Sequence, residues 1–121
     1  MILGFKERFK QPILDGTKIH SIRADKYNRW RSGRAIQMAT GVRTKRYECF
    51  KTEQCRSVQE IEIGYSDFVE NITVKVDGRM LLVEEILQLA LNDGFKGVFD
   101  FFIWFSDGFK GKIIHWTDFR Y

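Results

Sequence analysis

The spacing of apolar residues divides this chain into stretches of two periods. Phe5, Phe9, Pro12, Ile13 and Leu14 recur at roughly helical spacing, and Asp15-Gly16 supplies a C-terminal stop. Thr17 to Ala24 reads as a strand. Asp25 to Arg34 is polar, basic and aromatic, and Ser32-Gly33 turns it into a second strand at Ala35 to Val42. Arg43 to Arg46 is a charged turn. Strands follow at Tyr47 to Phe50 and Arg56 to Tyr65, where Val58, Ile61 and Ile63 alternate with Glu60 and Glu62 as in a sheet with one wet face. Ile72 to Val76 is a further strand, ended by the tight-turn pair Asp77-Gly78.

The period then changes. Val83, Ile86, Leu87, Ala90 and Leu91 form one stripe opposite Glu84, Glu85 and Gln88, which predicts an amphipathic helix ending at Asn92-Asp93-Gly94. A second helix is predicted from Phe95 to Phe105, with Phe95, Val98, Phe99, Phe102 and Phe105 as its core stripe and Ser106-Asp107-Gly108 as its stop. Gly111 to Phe119 reads as a last strand. The expectation is an α+β domain of about six strands and three helices, its short alternating strands closing into a small β-barrel.

Length and composition agree with one domain spanning residues 1–121. With 44% apolar and 15% aromatic residues, such a chain can bury about two thirds of its unfolded surface. Pro12 is the single proline, and no linker, repeat or low-complexity stretch interrupts the pattern. Cys49 and Cys55 have neither redox-pair nor zinc-ligand spacing, so reduced thiols in a cytoplasmic protein are expected, with no metal and no cofactor. The first residues lack the apolar core of a secretion signal, so the sequon Asn71-Ile72-Thr73 reads as chance. The most apolar run, Phe99 to Phe105, is short and contains Asp100, which excludes a membrane-spanning helix there.

Charge changes this picture. The net charge is +4, but residues 1–51 carry a balance of +9 and residues 52–121 a balance of −5. Between 18 and 46 nine basic residues face one acid, Asp25. Such a concentration suits a phosphate backbone or nucleotide, unless it pairs with the acidic half of the fold. Trp30 and Tyr27, set among Lys26, Arg29 and Arg31, could stack on a base.

The densest chemistry lies in Gly16-Thr17-Lys18-Ile19-His20-Ser21-Ile22-Arg23. An amine, an imidazole, a hydroxyl and a guanidinium fall within six residues. In a regular strand Lys18, His20 and Ile22 face one way and Ser21 and Arg23 the other. Lys18 and Ser21 converge only if Lys18 belongs to the glycine turn, and that is the expectation. His20 and His115, with no Ser or Cys partner at an informative spacing, read as structural. Arg23 reads as an anion ligand.

The stretch resembles the G-x-K-T-x-T/S-I-R signature of ASCH domains in the PUA-like superfamily. Ala90-Leu91-Asn92-Asp93-Gly94-Phe95 is similar to that family's A-x-x-[DE]-G-F step between helices, and Gly111 to Trp116 to its final barrel strand. Trp30-Arg31-Ser32-Gly33 is similar to its W-x-x-G turn. The resemblance implies a PUA-like barrel with a cleft for RNA or a modified nucleoside. One branch hydrolyses the amide of N4-acetylcytidine, and its catalytic lysine, threonine and acid fall on Lys18, Ser21 and Asp93. Ser21 keeps the hydroxyl, Asp93 is one methylene shorter than glutamate, and Ile19 replaces a threonine. Three readings follow: an amidohydrolase on N4-acylated cytidine, a non-catalytic module binding RNA or a nucleotide through Arg23, Lys26, Arg29, Trp30 and Arg31, or a protein-docking domain.

Overall fold

The computed structural model describes residues 1–65 and 72–121. Its described strands are β1 (Ile2–Phe5), β2 (His20–Arg23), β3 (Ala35–Thr40), β4 (Glu48–Gln54), β5 (Ser57–Tyr65), β6 (Ile72–Val76), β7 (Arg79–Met80) and β8 (Phe109–His115). The helices are α1 (Lys10–Asp15), α2 (Val83–Asn92) and α3 (Val98–Trp104). Asn71 of the sequon lies outside the described residues.

The α+β class holds, but the eight strands form two open sheets, and no closed barrel is formed among the described residues. One sheet runs β1-β3-β4, with β1 parallel to β3 and β4 antiparallel. The other runs β2-β8-β5-β6-β7, antiparallel throughout. The wet and dry faces of β5 follow its sequence alternation: Ile61 and Ile63 are buried, while Glu60 and Glu62 are exposed.

Several boundaries differ from the periodicity, each for a local reason. Phe5 belongs to β1 rather than to a helix. The chain then makes a single 3-10 turn at Glu7–Phe9 before α1. Periodicity misses β1 because its hydrogen-bonding partner, β3, is remote in sequence. The second helix starts at Val98, since Phe95 N–H still donates to Ala90 O (3.0 Å) and stays in the turn that ends α2. That shift moves the core stripe: Phe95, Phe101 and Phe105 are buried, whereas Phe99 is 77% exposed. The last strand begins at Phe109 and ends at His115.

The core joins both sheets to the helices. Ile13, Ile36, Met38, Leu89, Phe101, Ile113 and Ile114 are fully buried. Each such side chain contributes roughly 1.5–3 kcal/mol over an exposed one. The start of α2 is fixed by Glu85, which accepts the Leu82 N–H (3.1 Å) and a bidentate contact from Arg79 (2.9 and 2.8 Å).

Candidate active site

The site forms where β1 of one sheet approaches β2 of the other. After α1, Gly16 adopts a left-handed conformation (φ 80°), and both Thr17 and Lys18 donate their N–H groups to Pro12 O at 3.0 Å. Ile19 N–H donates to Asn92 O (2.9 Å), tying this turn to the end of α2. Lys18 thus precedes β2 rather than lying in it, so the strand alternation does not govern where it points. Beyond α2, Asp93 N–H bonds Leu89 O (3.0 Å) and Gly94 takes φ 91°. A Cβ on Gly94 would stand 3.0 Å from Lys18 Cδ and 3.1 Å from Phe9 Cδ1, so glycine lets the two segments close.

Lys18 is only 2% exposed. Its Nζ donates to Asp93 Oδ1 (3.0 Å), Asp93 O (2.6 Å) and His20 O (2.8 Å). Three acceptors use all three hydrogens of an ammonium, so the resting geometry holds the charged form. Burial nevertheless pulls the Lys18 pKa below the usual lysine value, against the attraction of Asp93 and with added repulsion from Arg23.

Asp93 Oδ1 also accepts from His20 Nδ1 at 3.1 Å. His20 is fully buried, and burial lowers its pKa in spite of Asp93, so the ring is neutral. The network then assigns its proton to Nδ1, leaving Nε2 to accept from the Tyr121 hydroxyl at 2.5 Å. Burial pushes the Tyr121 pKa upward, keeping that hydroxyl a donor, while Asn92 Nδ2 donates to it at 3.0 Å. His20 also meets His115 edge to face, and His115 Nε2 bonds Gln59 Oε1 at 3.0 Å.

On the other face of β2, Arg23 Nε donates to Ser21 Oγ (2.9 Å) and Nη2 donates to Gly4 O (2.6 Å), linking the two sheets. Its guanidinium carbon lies 4.8 Å from the Phe5 ring centroid. Among the described residues, Arg23 Nη1 has no protein acceptor and Asp93 Oδ2 no protein donor.

Lys18, Ser21, Arg23 and Asp93 all line one cleft of about 350 Å³, walled by Phe5, Phe9, Phe95, Trp104, Phe105 and Phe109. That volume is at the small end of ligand cavities. The remaining candidates lie elsewhere. Lys26, Arg29 and Arg31 are exposed on the β2–β3 loop, outside the cleft lining. Trp30 belongs to the core at 7% exposure, its ring taken up by packing rather than offered for stacking.

Comparison with protein-family models, with curated proteins and with solved structures finds no match. Arg23 polarises the Ser21 hydroxyl, and a guanidinium edge and a carboxylate oxygen are left for a ligand. Among the described residues, no three His, Cys, Asp or Glu side chains cluster as metal ligands, and no helix is long and apolar enough to cross a membrane.

Sequence reasoning missed five contributors. His20 read as structural, yet it is a partner of Asp93. Asn92 and Tyr121 carried no signal, because neither contact has a characteristic spacing. Gly4 and Phe5 were hidden by the overlooked β1.

Proposed function

We propose that this chain is an ASCH-type domain of the PUA-like superfamily whose cleft binds a modified nucleoside and hydrolyses the amide of N4-acylated cytosine. One observation carries the reading: Lys18, Ser21 and Asp93, drawn from a turn, a strand and a helix end, bound one small aromatic-walled cleft. Aromatic walls suit a planar base, and the polar floor suits the acyl amide at its edge. The ordered motifs from Gly16 to Trp116 support the family, and the α+β architecture of two open sheets, joined by Arg23, is the frame that holds the cleft.

The reaction follows from the groups present. A fraction of Lys18, released by its lowered pKa, takes the Ser21 proton as Oγ attacks the acyl carbon. Arg23 stabilises the oxyanion. Collapse breaks the carbon–nitrogen bond, and the Lys18 ammonium protonates the departing exocyclic nitrogen to give cytosine's amine. Water then hydrolyses the Ser21 ester, releasing carboxylic acid and restoring the hydroxyl. Asp93 holds Lys18 in place.

Incubation with N4-acetylcytidine, followed chromatographically, tests this. Wild type is expected to release cytidine, and Lys18→Ala and Ser21→Ala to be slower by about 100-fold or more. Turnover no faster than the Lys18→Ala control ends the enzyme reading. The second reading, a non-catalytic nucleoside-binding module, is favoured by one feature. The three acceptors on Nζ hold an ammonium, and this suits electrostatic binding better than base catalysis. Saturable binding of N4-acetylcytidine without turnover would select it.

A further inference from the structure

The Lys18–Asp93 pair is tied to a line of side chains that leads away from the cleft. Asp93 Oδ1 accepts from the Lys18 ammonium (3.0 Å), so the His20 Nδ1 that reaches the same oxygen (3.1 Å) has to carry a proton. Every later direction follows from that one. A neutral ring with its proton on Nδ1 accepts at Nε2, so the Tyr121 hydroxyl donates to it (2.5 Å). That hydroxyl in turn accepts from Asn92 Nδ2 (3.0 Å), and Asn92 Oδ1 accepts from the exposed Gln88 amide (2.7 Å). Four donors in series therefore point one way, from the surface towards the carboxylate.

The line is held from outside as well. Gln59 of β5 grips the Tyr121 backbone, its Oε1 accepting the Tyr121 N–H (2.9 Å) and its Nε2 donating to Tyr121 O (3.1 Å). The same Oε1 accepts from His115 Nε2 (3.0 Å), and the Tyr121 ring meets His20 edge to face with 5.5 Å between centroids. None of Gln88, Asn92, Tyr121 or His20 lines the cleft. The steps of amide hydrolysis use none of them.

Hydrogen bonds donated to a carboxylate favour its ionised form and drain its basicity, and donors in series polarise one another. The charged and titratable groups facing Lys18 are Asp93 at the end of α2, His20 and Arg23 of β2, and Arg8 of the 3-10 turn. Asp93 is the one that attracts the ammonium. His20 in turn faces Asp93, Lys18, His115 and Tyr121. We propose that His20 and Tyr121 are positioning residues of the Lys18–Asp93 pair, whose one-way chain keeps Asp93 ionised and weakens its hold on the Lys18 proton. Without the chain, Asp93 Oδ1 would have Lys18 as its single donor among the described residues and would bind that proton more tightly. A carboxylate held in this way is no proton donor for the leaving amine, and that role stays with Lys18. The link to turnover rests on the amide-hydrolysis reading of the cleft, whereas the tuning of Lys18 does not.

Titrating the Lys18 side chain by NMR, in protein labelled with carbon-13 lysine, reads that hold directly and needs no substrate. The Lys18 midpoint is expected to rise by about half a pH unit in Tyr121→Phe and by about one unit in His20→Leu, which removes the donor to Asp93. His20→Asn, whose amide N–H takes the place of Nδ1–H, should restore most of the wild-type midpoint. The alkaline rise of kcat/KM for N4-acetylcytidine should move with it, so that activity below the midpoint falls about threefold in Tyr121→Phe and about tenfold in His20→Leu. A role in packing alone would lower stability or turnover without moving either midpoint. A midpoint unchanged or lowered in Tyr121→Phe, with urea unfolding showing that variant folded, overturns the proposal even if His20→Leu does not fold. Raised midpoints in a protein that releases no cytidine would sink only the amidohydrolase reading. Turnover with unmoved midpoints would sink only the chain.

Discussion

Burying Lys18 with Asp93 takes two charges out of water, and the hydrogen bonds around them offset the loss of hydration. Removing one partner leaves the other uncompensated. Lys18→Met is therefore expected to cost about 3 kcal/mol of stability in urea unfolding. Lys18→Met combined with Asp93→Asn should cost clearly less than the sum of the single changes, because neither charge is left alone. Additive losses would show that the pair is not coupled. The same burial sets a pH dependence. Lys18 has its pKa lowered, so the amine form needed to accept the Ser21 proton grows as pH rises through a value below the usual lysine range. The kcat/KM for N4-acetylcytidine should climb with pH and level off below about pH 10.4. A profile flat across that range would remove Lys18 as the base.

At the scale of elements, the turn at Gly16–Lys18 and the end of α2 act as one unit joined by the Ile19 to Asn92 hydrogen bond. Gly94 is the tightest point of that joint. Gly94→Ala forces a side chain into positive φ and towards Lys18 Cδ, so stability should drop by about 1–2 kcal/mol. Because the displaced atom carries the Lys18 amine, turnover should fall further than stability, while the temperature of unfolding moves only a few degrees. Full turnover in this variant would show that the close approach does not position the amine. Both halves of this unit were legible in the sequence, as a glycine stop before a basic strand and as Asn92-Asp93-Gly94 after an amphipathic stripe. Their meeting was not. The helix stripe at Phe95–Phe105 misled because it assumed a helix running unbroken from Phe95, whereas five residues, 93–97, separate α2 from α3.

For the whole molecule, two histidines lie buried side by side on adjacent strands, His20 of β2 opposite His115 of β8. Burial, with repulsion from His20 and Arg120, holds the His115 pKa down to about 3. In the unfolded chain it takes up a proton near pH 6.5. Between those values the unfolded state binds more protons, so stability rises with pH and is lost on acidification. His115 alone should cost about 2 kcal/mol between pH 7 and pH 5, a loss that begins near pH 6.5. Lowered in the same direction, His20 adds to it. Urea midpoints at the two pH values check this, and equal midpoints would mean that the imidazoles are already hydrated or charged in the fold.

The sequence by itself determined the class of the fold, most of the element positions and the identity of the reactive groups. It could do so because period, glycine stops and turn pairs are local properties written into neighbouring residues. It also determined that Lys18 had to leave the strand if it was to meet Ser21, since alternation is a geometric rule. Only the tertiary structure decided which charges face each other. Asp93 collects Lys18 and His20, Tyr121 closes the far side of His20, and β1 brings Gly4 beneath Arg23, although each partner is remote in sequence. It also decided that Trp30 is core while Tyr27 is exposed, two aromatics that look alike in a basic segment. The difference is the buried Asp25–Lys112 pair, which fixes the loop and whose partners lie 87 positions apart.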